Sequence, residues 1–445
     1  MKAMLERANG SALDMIIDED VPINGMMDLL SPHARQIRSL KFTQRAWADV
    51  TKFSAIASGS LPLLHTLEIT GPLDQPEPMT HSPYLIFGDC VHVENFVLKS
   101  NGSKSLNFFI LPRLTTFELW AVGATNECNE SDLFDFLKAS PMLRTVKISI
   151  IGTSLLGNTP QEPSVVLPNV ETFFLHVTDC GSVDNPAVRT SCHISCPSSR
   201  DTSIMYTIAS GSLPSQPIFP PPALSNAIVR QYTKSPIEEV TFDMIAIVGS
   251  PAECFLTFQS SDTSVVRVGF KVYCSALEEV YGVALLHASK SIRAPALLSH
   301  IKRLHVRHMV DLLEPEDMAD MVEELGELFK SMGPLDELTI EDCDLNVFLA
   351  PFLDADLLGF LVEPTTFPPI KELAILHPVM EFNEEECMEA IVELAKSQHA
   401  KGIPFERVTV RAEMVPATMA ERLMQWVGVV VCREEGVGVL GDLYM

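Results

Sequence analysis

Apolar residues at i, i+3 and i+5 form a pattern that recurs along this chain of 445 residues. It appears as Ile37–Leu40–Phe42, Leu64–Leu67–Ile69, Val93–Phe96–Leu98, Leu114–Phe117–Leu119, Leu143–Val146–Ile148 and Val170–Phe173–Leu175. After a gap it resumes as Ile237–Val240–Phe242, Val265–Val268–Phe270, Ile301–Leu304–Val306, Leu335–Leu338–Ile340, Ile370–Leu373–Ile375 and Phe405–Val408–Val410. Each copy ends in the apolar–polar alternation of a half-buried strand. In Leu335–Ile340, Leu338 and Ile340 point one way while Glu337 and Thr339 point the other. One copy carries little information. Twelve copies at near-regular spacing predict a stacked array, in which each unit buries its apolar face against the next.

The first six copies are separated by 27, 29, 21, 29 and 27 residues, and the last six by 28, 36, 34, 35 and 35. The first series lies close to the 20–29 residues of leucine-rich repeats; the second leaves room for a fuller helix per unit. The predicted fold is therefore α/β: a leucine-rich-repeat-like solenoid with one parallel strand per repeat and helices or irregular segments outside. A proline often precedes the strand, two residues ahead of the pattern at Pro62, Pro112, Pro141 and Pro168, and one ahead at Pro236, Pro334, Pro369 and Pro404. Lacking an N–H, proline suits a strand entrance. Any α/β protein has short apolar strands after turns; the fit to a named repeat signature favours the array.

Between the strands, a further strand is predicted at Leu13–Ile17 and a helical stretch at Met26–Leu30, ended by Ser31–Pro32. A helix is predicted over Ser131–Ala139, with Asp132 in its first turn and Leu133, Phe134, Phe136 and Leu137 on its apolar side. Asn383 and Glu386 make a capping arrangement ahead of Met388, Ile391, Val392 and Ala395, which share a face. Amphipathic runs cover 316–331 and 417–433. The chain divides into an N-terminal half of the array (1–178), a Ser/Pro/Cys-rich insertion or linker (179–223), and a C-terminal half with longer, acidic repeats (224–445). The string IASGSLP occurs at 56–62 and again at 208–214, as a degenerate repeat inside the insertion or as chance among Ser-rich segments.

Hydrophobic residues make up 47% and charged residues 20% of the chain, enough for a large core. The longest apolar stretches, such as Trp426–Cys432, fall short of the roughly 18 residues that span a bilayer. The first twenty residues lack a signal peptide's apolar centre, so an intracellular protein, cytoplasmic or nuclear, is expected. Its ten cysteines are then simplest as reduced thiols. Net charge is −26, and residues 311–400 hold 23 acidic against 3 basic side chains. Such a field repels nucleic acid and anionic membranes. It reads as solvated helix faces or, more sharply, as a docking surface for a basic partner.

No phosphate loop, dinucleotide fingerprint, H-E-x-x-H or G-x-S-x-G elbow is present. Cys192-His193-x-x-Cys196 with Cys180 upstream lacks the second knuckle a zinc site needs. No catalytic residue, cofactor or metal is expected. What the array offers is a face, because residues at i+2 and i+4 point away from the apolar side. Its charged members are Lys41, Glu68, Glu118, Lys147, Glu239, Arg267, Arg303, His305, Glu337, Glu372 and Arg407. Repeat proteins bind partners along such strips. A hydrolase or transferase on an irregular α/β fold, and a structural array without specific ligand, are the competing readings.

The strand phrases LPLLHTLEIT, LPRLTTFELWAV, ASPMLRTVKISI and LPNVETFFLHV, with LERANGSALDMIIDED and LLSPHARQIRSLKF before them, resemble F-box proteins of mushroom-forming fungi with leucine-rich-repeat-like C-terminal regions. The resemblance covers most of 1–180 and, more loosely, 230–412. It implies an F-box that docks on the adaptor of a cullin–RING ubiquitin ligase, and repeats that select the substrate. The leucine–proline start and helical trio of an F-box are not found, so the chain is expected to be either truncated or a paralogue without the box. The adaptor is a partner only if an F-box lies upstream.

Overall fold

The computed structural model describes residues 10–17, 31–43, 61–71, 92–100, 106, 111–121, 130–151, 165–178, 191, 193–208, 229–245, 252–272, 290, 292–293, 295–298, 300–307, 325–341, 368–376, 384–411 and 417–433. It is an α/β protein dominated by parallel strands. The strands are β1 (Leu13–Ile17), β2 (Ile37–Thr43), β3 (Thr66–Gly71), β4 (Asn95–Ser100), β5 (Thr116–Ala121), β6 (Thr145–Ile151), β7 (Val165–Val166), β8 (Thr172–Thr178), β9 (Ile194–Ser195) and β10 (Asp201–Ile208). They continue with β11 (Ile237–Ile245), β12 (Ala252–Ser260), β13 (Val265–Val272), β14 (Arg303–Arg307), β15 (Leu335–Glu341), β16 (Ile370–Leu376), β17 (Arg407–Arg411) and β18 (Val429–Arg433). Helices are α1 (Glu130–Lys138), α2 (Pro295–Leu298), α3 (Glu384–Ala400) and α4 (Ala417–Leu423). Two compact units result: Met1–Ala209 with Arg230–Lys234, and Ser210–Val229 with Ser235–Met445. The division falls inside 179–223.

In the first unit the strand order is β1-β2-β3-β4-β5-β6-β8-β10, every neighbouring pair parallel. The apolar positions of the repeat form its core: those described from Ile37 to Leu175 are at most 3% exposed. Pro236, Pro334 and Pro369 of the second unit stand at the expected strand entrance, directly ahead of β11, β15 and β16, but in the first unit the proline is placed differently. It occupies the second position of a tight turn, in which Leu64, Leu114, Leu143 and Val170 donate their N–H to the carbonyls of Leu61, Leu111, Ser140 and Leu167. There proline's fixed φ suits the turn, and the strand starts two residues after the pattern does. A backbone rung at i+1 then ties successive units: His65 N–H to Arg38 O, Glu94 to His65, Thr115 to Glu94, Arg144 to Thr115, Glu171 to Arg144 and Arg200 to Glu171.

That last rung exposes a repeat which the apolar pattern does not reveal. Strand β10 lies within 179–223, pairs in parallel with β8, and sets Thr202 opposite Phe173 and Ile204 opposite Leu175. Its i and i+3 positions are Ser199 and Thr202, 2% and 0% exposed. Two hydroxyls replace two apolar side chains and satisfy each other: Thr202 Oγ1 donates to Ser199 Oγ at 2.9 Å, and Ser199 Oγ donates to Glu171 O at 3.2 Å. Buried hydroxyls are tolerated only when so paired. Ser199→Ala strands the Thr202 hydroxyl and is expected to cost about 1–3 kcal/mol, whereas adding Thr202→Val recovers most of it. Urea unfolding of the two variants checks this; equal loss in both would show the hydroxyls are not coupled.

The second unit runs β13-β12-β11-β14-β15-β16-β17-β18. From β11 through β14 to β18 the pairs are parallel, but β11–β12 and β12–β13 are antiparallel. The copy beginning at Val265 is thus not a parallel repeat strand. It closes a three-strand meander whose middle strand, AECFLTFQS, carries a plain two-residue alternation and lies outside the i, i+3, i+5 pattern. The run 417–433 is helical only to Leu423 and then gives β18, because Val427-Gly-Val-Val-Val is β-branched and follows a glycine. Helix α1 matches the expected Ser131–Ala139 within one residue, with Leu133, Phe134, Phe136 and Leu137 buried. Strand β1 appears as expected, and Ser31–Pro32 opens a 3₁₀ turn (Ser31–Gln36). In α3, Met388, Ile391, Val392 and Ala395 are at most 2% exposed. The helix expected at Met26–Leu30, the Asn383 cap and residues 316–324 lie outside the described residues. Among the described residues no helix is long and apolar enough to cross a membrane.

Candidate recognition face

Because neighbouring parallel strands pair in register, each non-core repeat position becomes a row that crosses the strands at about 4.8 Å per step. In the first unit the i+4 row reads Lys41, Glu68, Val97, Glu118, Lys147, Phe174. Lys41 Nζ donates to Glu68 Oε1 at 2.9 Å and Lys147 Nζ to Glu118 Oε1 at 2.9 Å. Lys99, one alternation further along β4, also reaches Glu68 Oε1 at 3.1 Å. Burial pushes the Glu68 carboxyl up, but its two lysine partners outweigh that and hold it below its usual range. The i+2 row is uncharged up to β8: Ser39, Thr66, Asn95, Thr116, Thr145, Thr172. At the β1 end a depression of about 460 Å³ is lined by Asp14, Arg38, Lys41 and Glu68 among others, with Arg38 Nη2 2.5 Å from Asp14 Oδ2.

In the second unit the i+2 row carries the charge: Glu239, Arg303, Glu337, Glu372, Arg407 on β11, β14, β15, β16 and β17. Arg303 Nε lies 3.0 Å from Glu239 Oε2, and Arg407 Nη1 donates to Glu372 Oε2 at 3.1 Å. Beside it the i+4 row is His305 followed by the small residues Thr339, Ala374 and Thr409. Together these rows line a trough of about 360 Å³. Six of the eleven charged candidates, Glu239, Arg303, His305, Glu337, Glu372 and Arg407, meet in it. Arg267 does not. It stands on β13 opposite Thr257, with its guanidinium 5.6 Å from the centre of the Phe255 ring.

Reading only i+2 and i+4 misses the next position along each strand. There Lys99, Arg307 and Glu341 add to the face, and continuing the two-residue alternation by one step would have found them. Glu341 Oε2 lies 3.1 Å from His305 Nε2 and 2.8 Å from Arg307 Nε. The hydrogen bond to His305, against the cost of burial and with the nearby Arg307 charge, holds the Glu341 carboxyl down at about 2. A carboxyl lowered on folding contributes stability above its usual 4.5, and that contribution disappears as pH falls towards the folded value. Glu341→Gln is therefore expected to be less stable than wild type near neutrality, with the gap closing between pH 4.5 and about 2. Urea midpoints measured across that range check it; a gap independent of pH would disprove the pairing.

Exposed ion pairs contribute only about 0–1 kcal/mol each, so these rows set register and surface pattern more than stability. Cys196 is buried, which pushes its thiol pKa well up; Cys180 and Cys192 lie outside the described residues. No family model matches the chain, and no curated protein matches it in sequence.

Proposed function

We propose that this is a non-enzymatic recognition protein, built as a leucine-rich-repeat-like solenoid, that captures a protein partner along its strand face. The observation carrying the reading is the trough of the second unit, where four parallel strands in register set a charged row beside a small-residue floor. Recurrence of the parallel strand and the i+1 rung in both units supports the solenoid. The resemblance to fungal F-box proteins extends the reading to a substrate receptor of a cullin–RING ubiquitin ligase, with the adaptor as a partner where an F-box precedes this segment. Nucleic acid and membranes are not its partners in this reading, consistent with a net charge of −26.

Affinity capture tests it with three forms of the whole chain: wild type, a trough variant (Arg303→Glu with Arg407→Glu), and a control in the adjoining row (Lys302→Glu with Lys371→Glu). A protein partner retained by wild type and control but lost from the trough variant is the expected result. Identical recovery from all three forms, or no partner from any, overturns the reading.

A further inference from the structure

Charge order singles out one point in the trough. At i+1 in the second unit the row Glu238, Lys302, Asp336, Lys371, Glu406 alternates in sign throughout, with Lys302–Glu238 at 2.8 Å and Lys371–Asp336 at 2.5 Å. One residue further along each strand, the row Glu239, Arg303, Glu337, Glu372, Arg407 breaks that alternation once. Glu337 and Glu372 are register partners on β15 and β16, and like charges directly opposite each other weaken a sheet. The neighbouring cations do not relieve the clash at Glu337, because Arg303 pairs with Glu239 and Arg407 with Glu372. Among the described residues the Glu337 carboxylate meets only the Thr339 hydroxyl, at 3.0 Å. By contrast, Glu68, Glu118, Glu239 and Glu372 each hold a lysine or arginine.

A second observation lies beside it on the trough floor. Thr409 is 7% exposed and lines the trough, yet among the described residues its hydroxyl has no hydrogen-bond partner. The hydroxyl oxygen itself is not sealed from solvent, so it is open to an occupant of the trough. From His305 on β14 to Thr409 on β17 the floor crosses three strand spacings, about 14 Å, the length of roughly four extended residues. We infer, building on the recognition reading above, that this trough takes an extended segment of the partner protein, with a lysine or arginine of that segment against Glu337 and a backbone group of it against the Thr409 hydroxyl. A cation there restores the alternation and meets a chain whose net charge is −26.

The test is selection of a random twelve-residue peptide display library on the whole protein. Binding of the enriched peptides is then measured by fluorescence anisotropy to wild type, Glu337→Gln and Thr409→Val, with urea midpoints confirming that each variant folds. The expected result is enrichment of peptides with a fixed lysine or arginine, whose affinity falls about tenfold in Glu337→Gln and several-fold in Thr409→Val, and weakens with added salt. Three results overturn the inference: no enriched peptide, peptides without a fixed basic residue, or affinities within twofold across the three proteins. A chain that dimerises in solution and becomes monomeric with Glu337→Lys also overturns it, by making a second copy the occupant. If a partner is captured through the trough while the selected peptides lack a basic residue, recognition stands and this inference alone fails.

Discussion

Replacing Phe117 by alanine is expected to cost the first unit about 3–5 kcal/mol, read as a lower urea midpoint for its transition. Phe117 is fully buried on β5, its ring 4.7 Å from Phe136 on α1 and 6.0 Å from Phe96 on β4. Phe96 and Phe136 are themselves 6.1 Å apart, so the three rings close a triangle that joins two strands to the helix. Removing the middle ring loses its transfer free energy and leaves a void that backbone rungs on both sides keep from collapsing. Phe117→Leu, which keeps most of the volume, is expected to lose under about 1.5 kcal/mol. The strand also carries Glu118 and Trp120 on its other face, where the Trp120 indole N–H donates to Glu118 Oε2 at 3.4 Å. The alanine variant should therefore shift indole fluorescence as well. A loss below about 1 kcal/mol would mean that the triangle is not a packed unit.

Gly428→Ala is expected to destabilise the last strand by about 1–3 kcal/mol. A Cβ placed on Gly428 would lie 2.8 Å from the carbonyl oxygen of Glu406. That atom is backbone, and beside it the Gly428 N–H donates to Phe405 O at 3.1 Å. Neither side can yield without moving β18 away from β17, and so weakening the pairing of Val408 with Val430 and Val410 with Cys432. Hydrogen exchange separates this from a global effect: the amides of β18 should lose protection while those of β14 and β15 keep theirs. Unchanged exchange in β18 would exclude the close approach.

Most of the parallel array is legible in the sequence because burial is enforced at fixed spacing. Leu64, Leu67 and Ile69, or Leu335, Leu338 and Ile340, have no other way to leave water together. Three features were not legible, each for a physical reason. The repeat at Ser199 and Thr202 is hidden because a pair of hydroxyls that bond each other substitutes for hydrophobic contact. Its trace was the turn proline, Pro197, two residues ahead as in the earlier copies, with Ser199 N–H on Cys196 O at 2.9 Å. The Val265 copy fits the spacing but pairs antiparallel, since alternation does not record strand direction. The last copy, with Val430 and Cys432 in register with Val408 and Val410, is hidden in a run that reads as an amphipathic helix. At the face, the sequence identifies which residues leave the core. It does not identify which charges meet, because the row assigns Arg303 to Glu239, 64 residues away, and leaves Glu337 without a cation.

The meander of the second unit obeys a parity rule. Strand β12 reverses direction relative to β11, and β13 reverses it again. The outermost strand of that unit therefore runs the same way as β14 to β18, although the chain has doubled back to reach it. Antiparallel strands inserted into such an array preserve polarity only when they are added in even numbers. A single extra antiparallel strand would present an edge of the wrong sense. Hairpins are thus the natural unit of growth at the side of this array, and whole turn–strand repeats the unit of growth along it. That distinction gives a design rule: a hairpin-connected graft between β11 and β14 in the chain tolerates two antiparallel strands or none.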